Sequence, residues 1–162
     1  MIFDNKDCCL ERDGNRFRFR VGAVIIENGR VLLATNAHAD YYYSIGGGVH
    51  IGETSEQAVL REVKEETGVD HEIDRLAFVH ENFFSGDTTR ALKGLVCHEI
   101  SFYYLMRPRW TLELDSDSRC PDGKEILEWI PLGDLCKIKV FPDFYKSMLQ
   151  PVPSGVTHIV TK

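Results

Sequence analysis

The stretch Gly46 to Val69, GGGVHIGETSEQAVLREVKEETGV, joins three glycines to a helix crowded with carboxylates. Thr54 and Gln57 have capping-box spacing, Val59, Leu60 and Val63 form an apolar stripe, and Gly68 is placed to end the helix in the left-handed region. The pattern predicts a helix over Thr54 to Thr67. At about 100° per residue, Glu62, Glu65 and Glu66 fall within an arc of about 100° beside that stripe. Like charges at these spacings each cost about a few tenths of a kcal/mol, and the helix dipole disfavours anions toward the C-terminal end. A helix weakened by its own glutamates makes sense if a hard divalent cation sits against them, since Mg²⁺ takes oxygen ligands and is shared with substrate phosphates. The helix alone favours a solvated acidic face. The glycines favour the first reading, because they let backbone groups approach a ligand closely at an entropic cost that a structural loop can avoid. Glu53 stands at the junction of loop and helix, within reach of Arg61, which can also pair with Glu65 one turn on.

Outward from this stretch, Phe17 to Ile26 reads as one strand, and Asn28-Gly29 suits a tight hairpin whose returning strand is Val31 to Ala34. Tyr41 to Ile45 reads as a short aromatic strand entering the glycines. Ile73 to Phe84 and Leu95 to Met106 read as two long half-buried strands, the second alternating Val96, His98, Ile100 and Phe102 with Cys97, Glu99, Ser101 and Tyr103. Pro108 to Gly123, with Glu113, Asp115, Asp117 and Asp122, reads as an acidic loop with some short strand. Ile126 to Ile130 is a strand ending at Pro131, and Phe144 to Leu149 a short helix after Pro142. Nothing in the pattern divides the chain, so one domain over residues 1–162 is expected, with a core of about residues 15–150 and a tail over 151–162, loosely held or an edge strand.

The 162 residues carry 19 Lys plus Arg against 25 Asp plus Glu, a net charge of -6 that argues against bulk binding to nucleic acid or anionic membrane. No apolar run is long enough to cross a bilayer, and the first residues do not read as an export signal, so a cytoplasmic protein is expected. Cys8, Cys9, Cys97, Cys120 and Cys136 form an odd set without paired CxxC spacing, which favours free thiols in a reducing compartment over zinc or disulfides. Tyr41, Tyr42, Tyr43, Phe83 and Phe84 can wall a base, although strand aromatics are more often core. His50, His80 and His98 can act near a phosphate, although each alone reads rather as a polar strand or loop residue, and Arg18 and Arg20 read as phosphate holders or as the solvated face of an edge strand.

Taken from Gly47, the quoted stretch resembles the Nudix box: Gly, five residues, Glu, seven residues, then Arg-Glu-apolar-any-Glu-Glu-any-Gly-apolar. Gly47, Glu53, Arg61, Glu62, Val63, Glu65, Glu66, Gly68 and Val69 fill every specified position. The seven single-residue requirements make a chance match rarer than about one in 10⁸ per start site. The order of elements around the box extends the resemblance over about residues 15 to 150. Just upstream, Ser44-Ile45 stands where a common family pattern has Leu-Pro.

The resemblance implies an α/β fold, an α/β/α sandwich with a mixed β-sheet. It also implies a Nudix (MutT-like) hydrolase that uses Mg²⁺ or Mn²⁺ to cleave a diphosphate bond in a nucleoside diphosphate linked to another group, such as a nucleoside triphosphate, ADP-ribose or a nucleotide sugar. On this reading Glu62 and Glu66 are the principal metal ligands, with Glu65 a further or water-mediated one and the Gly46 carbonyl a backbone contact. Glu53 and Arg61 hold loop and helix together, with Glu53 close to the chemistry. A general base often lies outside the box in this family, and Glu125 and Glu99 are the candidates, Glu99 being more often a cross-strand carboxylate. The partners implied are a small nucleotide-type substrate and, as is common on this fold, a second copy of the chain. A noncatalytic Nudix-like nucleotide-binding or regulatory domain is the alternative, and goes with losses in the glutamate cluster, which is complete here. An isomerase on the same fold acting through a cysteine and a glutamate finds only Cys97 and Glu99. Family members that prefer ADP-ribose or dinucleoside polyphosphates carry a Pro or Tyr a short way past the box. The window here, Phe84 to Thr88, has neither.

Overall fold

Asn28 and Gly29 adopt left-handed backbone, with φ of 49° and 73°, and turn the chain so that Ile26 pairs with Val31. The computed structural model describes residues 6–86, 92–120 and 123–162; expectations that fall on Asp87, Thr88, Asp122 and the Cys120 thiol lie outside the described residues. In chain order the elements are β1 (Cys9–Arg12), β2 (Asn15–Val24), β3 (Ile26–Glu27), β4 (Arg30–Asn36), β5 (Tyr42–Ser44), α1 (Ser55–Thr67), β6 (Ile73–Ser85), β7 (Val96–Met106), β8 (Arg119–Cys120), β9 (Gly123–Pro131), a 3₁₀ helix over Leu132–Lys137, β10 (Val140–Phe141), α2 (Tyr145–Met148) and β11 (Thr157–Thr161).

The strands form two mixed sheets, and the protein is an α/β fold. One sheet runs β1-β2-β7-β6-β11, with β2 parallel to β7 and β11 parallel to β6. The other runs β10-β5-β4-β9-β8, with β3 paired to β4. The expected single strand from Phe17 to Ile26 is therefore two: β2 belongs to the first sheet, and at Ile25 the chain crosses to the second. The reason lies in side-chain alternation. Val21, Ala23 and Ile25 join α1, Leu32 and Ala34 in one apolar core, while Val24 joins Val31, Leu33, Phe78, Phe144 and Tyr145 in another on the opposite side. Helical segments thus cover both faces, α1 on one and the 3₁₀ helix with α2 on the other.

α1 starts at its capping box, with the Thr54 hydroxyl accepting the Gln57 N–H and the Gln57 side chain accepting the Thr54 N–H. Gly68, at φ 75°, ends it. Ala58, Val59, Val63 and Thr67 are its buried side, so Leu60, expected in the stripe, lies 39% exposed outside the core. Burying Val59 and Val63 stabilises the docking on β2 by about 1.5–3 kcal/mol each.

Two other expectations change, and β7 shows which of its sides turns inward. The Phe144 to Leu149 helix shortens to the single turn of α2 behind the 3₁₀ helix, which carried no sequence signal of its own. In β7 the inward side is the polar one, Cys97, Glu99, Ser101 and Tyr103, while Val96 is exposed. β2 lies inside its sheet between β1 and β7, so Arg18 and Arg20 do not line an edge. The tail forms β11 at the sheet's edge beside β6. No helix among the described residues is long and apolar enough to cross a membrane.

The glycine run is stitched onto β2: Val21 N–H donates to the Gly47 carbonyl and Ala23 N–H to the Ile45 carbonyl, both at 2.9 Å. Gly46 has φ 138°, and a Cβ there would lie 2.2 Å from the Val21 carbonyl oxygen. Gly46→Ala is expected to cost about 3 kcal/mol or more in urea unfolding, combining strain with overpacking of backbone. Gly29→Ala, also at positive φ but with nothing within 4 Å of its Cβ, is expected to cost about 1 kcal/mol.

Candidate active site

Arg61 ties the glycine loop to α1. Its Nε and Nη2 donate to the two carboxylate oxygens of Glu53 at 2.8 and 2.9 Å, and Nη2 also reaches the Gly48 carbonyl at 3.0 Å. Nη1 donates to Glu62 at 2.7 Å and to Glu65 at 3.4 Å. Arg61 thus pairs with Glu53 and Glu65 together, and with Glu62 as well. A guanidinium is suited to this because its planar fork presents five donors. Glu53 Oε2 also accepts the His50 N–H. These bonds, the Arg61 pair foremost, outweigh burial and hold the Glu53 carboxyl below its ordinary pKa.

Glu62 and Glu66 stand one turn apart beside the loop. A Cβ on Gly47 would come within 2.4 Å of a Glu62 carboxylate oxygen, so the absent side chain is what admits the carboxylate. Glu66 accepts the Gly46 N–H at 2.9 Å. Burial pushes its pKa up to about 8, with Glu125 and Glu62 adding to the rise and the Gly46 amide and Arg20 opposing it. Glu125, at the start of β9, is buried; it accepts hydroxyl hydrogen bonds from Tyr43 on one oxygen and Ser118 on the other. Glu65 points outward, its side chain 60% exposed.

Glu99 is buried on β7 with Arg16 and Arg20 each 3.7 Å away. Burial acts to lower the Arg20 pKa, but Glu99, followed by Tyr103, Glu66 and Glu62, leaves it raised. Glu99 therefore adjoins the acidic cluster through Arg20. Of the aromatic candidates, Tyr43 meets the cluster, Tyr42 binds Glu128, and Tyr41 packs on Phe141. Phe83 stacks on His98 at 4.1 Å, while His80 is buried and bonded to Thr161. The His50 ring lies 3.8 Å from Asp7 and 3.9 Å from Glu53. Asp7, Ser116 and Ser118 carried no signal in the sequence, because strand pairing and loop folding bring them in from distant positions, and Tyr43, expected as a base wall or core, instead donates to Glu125.

Among the described residues no three His, Cys, Asp or Glu side chains already converge as a ligand set. The donor chemistry nonetheless fits a hard cation: the groups are carboxylate oxygens against a glycine-opened backbone, and Glu66 is an acid whose charge its surroundings oppose. A helical carboxylate row thus faces a backbone loop and is backed by an arginine.

The NUDIX domain model matches residues 16–151, and the chain belongs to the Nudix family. It is 40% identical over 75 residues to a MutT-like protein of Streptomyces ambofaciens, a match that spans 46% of this chain and less than half, 46%, of that relative. It is 27% identical over 159 residues to an RNA pyrophosphohydrolase of Marinomonas sp. strain MWYL1, covering 88% of this chain and 95% of the relative. A crystal structure of a MutT Nudix hydrolase from Burkholderia pseudomallei superposes with a TM-score of 0.56 at 28% identity, over 72% of this chain and 84% of that one.

Because the folded pKa of Glu53 lies below its unfolded value of about 4.5, its pairing with Arg61 stabilises the protein above that pH, and the contribution is lost as pH falls through the folded value. Glu53→Gln is expected to unfold more easily by about 1–3 kcal/mol at neutral pH. The gap to the parent should narrow in denaturation curves taken below about pH 4.

Proposed function

We propose that the protein is a Mg²⁺- or Mn²⁺-dependent hydrolase of a diphosphate bond in a nucleoside diphosphate linked to another group, with nucleoside triphosphates, ADP-ribose and nucleotide sugars as the substrate classes. The observation that carries this reading is the pair Glu62 and Glu66 of α1 set against a loop opened by glycine, Glu62 beside Gly47 and Glu66 on the Gly46 N–H, with Glu125 of β9 within electrostatic reach of Glu66. In it Glu62 and Glu66 hold the cation, with Glu65 and the Gly46 carbonyl as further donors. When bound, the cation neutralises phosphoryl oxygens and lowers the pKa of water. Glu53 and Arg61 keep loop and helix in register, which fixes the carboxylates relative to the substrate.

Glu125 is the stronger of the two base candidates. Its oxygens are aimed by Tyr43 and Ser118, and each retains a lone pair for a further proton. As the water oxygen bonds to phosphorus, its proton passes to Glu125, and the bond from phosphorus to the bridging oxygen breaks. The electron pair leaves on the departing phosphate. Glu99 faces two guanidiniums instead, which supports a different part for it. The free thiols of Cys8, Cys9, Cys97 and Cys136 support a reducing, cytoplasmic setting.

A panel of nucleoside triphosphates, ADP-ribose, nucleotide sugars and 5′-triphosphorylated RNA, incubated with and without Mg²⁺, tests the reading; the RNA is included because of the Marinomonas relative. Glu66→Gln is the blank. It is expected to fold as well as the parent or slightly better, since it removes repulsion with Glu62 and Glu125, while turnover falls at least a hundredfold. Turnover that ignores either the metal or the substitution overturns the assignment.

A further inference from the structure

Parallel pairing places Arg18 opposite Glu99, so Arg16, Arg18 and Arg20 of β2 share a face with Cys97, Glu99, Ser101 and Tyr103 of β7. The middle arginine is engaged elsewhere, giving Nε and Nη2 to Asp7 at 3.1 and 2.7 Å. The outer two straddle Glu99, with Arg16 Nη1 3.7 Å from one carboxylate oxygen and Arg20 Nη1 3.7 Å from the other. At that distance neither contact is a hydrogen bond. Arg20 Nε is buried and has no hydrogen-bond partner among the described residues. A buried donor without a partner is costly, more so when it is charged, and a fold that carries the cost commonly has a use for the donor. Arg20 also lies opposite Gly48 of the glycine loop and within electrostatic reach of Glu62 and Glu66.

We propose that Arg20 binds a phosphate of the substrate, that Arg16 binds the next phosphate along β2, and that Glu99 is an internal stand-in for that anionic tail, releasing Arg20 when phosphate arrives. This rests on the hydrolase reading for the identity of the reaction, but not for the binding itself. A guanidinium grips phosphate through paired N–H bonds, which Glu99 at its present distance does not make. Both guanidiniums stand 3.7 Å from opposite oxygens of one carboxylate, so their heads are close enough to meet neighbouring phosphates of a single chain. Glu99 is then a positioning residue that acts through Arg20.

Two measurements on the full chain test this. The first is calorimetric binding of inorganic tripolyphosphate in EDTA, where no cation assists. Arg20→Ala is expected to weaken binding at least tenfold, Arg16→Ala severalfold, and Glu99→Gln to tighten it about threefold or more through loss of the competing charge. The second is steady-state hydrolysis with Mg²⁺. There Arg20→Lys should raise KM for a triphosphate about tenfold with kcat within threefold, because Lys keeps the charge but not the fork, and Glu99→Gln should lower KM with kcat unchanged. Tripolyphosphate binding that is indifferent to Arg20→Ala, or a hundredfold loss of kcat in Glu99→Gln, overturns the proposal. If Arg20→Ala does not fold, Arg20→Lys and Glu99→Gln carry both measurements. A parent protein that hydrolyses nothing yet loses tripolyphosphate binding in Arg20→Ala refutes the hydrolase reading and leaves the phosphate site standing. Hydrolysis with unaltered KM in Arg20→Lys does the reverse.

Discussion

The grip of Arg61 on Glu53 is the contact on which the remainder of the site depends. It spans the junction between a glycine loop with little rigidity of its own and a helix whose exposed flank is loaded with like charge. One guanidinium serves Glu53, Glu62, Glu65 and the Gly48 carbonyl, so the loop's position and the helix's charge balance are set by the same side chain. A lysine there would supply the charge as a point and lose the fork that fixes direction. The sequence pattern needs an arginine at that position for this geometric reason.

Charge is arranged in two opposed tracts around the loop. On one side stand Glu62, Glu66 and Glu125, where burial first, and then repulsion from Glu125 and Glu62, raises the pKa of Glu66. On the other, Arg16 and Arg20 hold Glu99 without fully bonding it. A chain of phosphates with a divalent cation would complement both, the cation meeting the glutamates and the anionic oxygens meeting the arginines. The partner of Glu66 is the Gly46 amide, and Arg20 stands 3.7 Å from Glu99.

What could be read from the chain follows the range of the interactions. The helix, its caps and the Glu53–Arg61 pairing are local, and the spacing from Gly47 to Val69 encodes them directly. The hairpin at Asn28-Gly29 is local too. The inward polar side of β7 was not legible, because alternation shows that a strand has two sides but not which of them meets the protein. Here the apolar set Val96, His98, Ile100 and Phe102 turns outward at one end, while Tyr103 fills the notch left by Gly22 on the neighbouring strand. Likewise the donors that aim Glu125 come from Tyr43, 82 residues away, and from a loop with no periodicity. The division of β2 from β3 depended on which core Val24 and Ile25 enter, a tertiary choice.

The acidic loop before β8 resolves a difficulty posed by the helix. Glutamates near the C-terminal end of α1 work against its dipole, and the last carbonyls of a helix lack partners within it. The loop supplies them: Asp115 N–H donates to the Thr67 carbonyl at 3.0 Å, and the Ser116 hydroxyl donates to the Glu66 carbonyl. Gly68 is what permits this approach, since a Cβ there would collide with the Asp115 carbonyl. The loop is in turn anchored by buried Glu27, which accepts the backbone N–H groups of Arg109 and Trp110. Two residues past Ser116, Ser118 reaches Glu125. One irregular segment therefore ends the helix that carries Glu62 and Glu66 and aims the carboxylate facing them, so the separation of these acids is set by backbone contacts that do not depend on their own mutual repulsion. A helix end capped in this way can hold charges that an isolated helix of the same sequence would fray to escape.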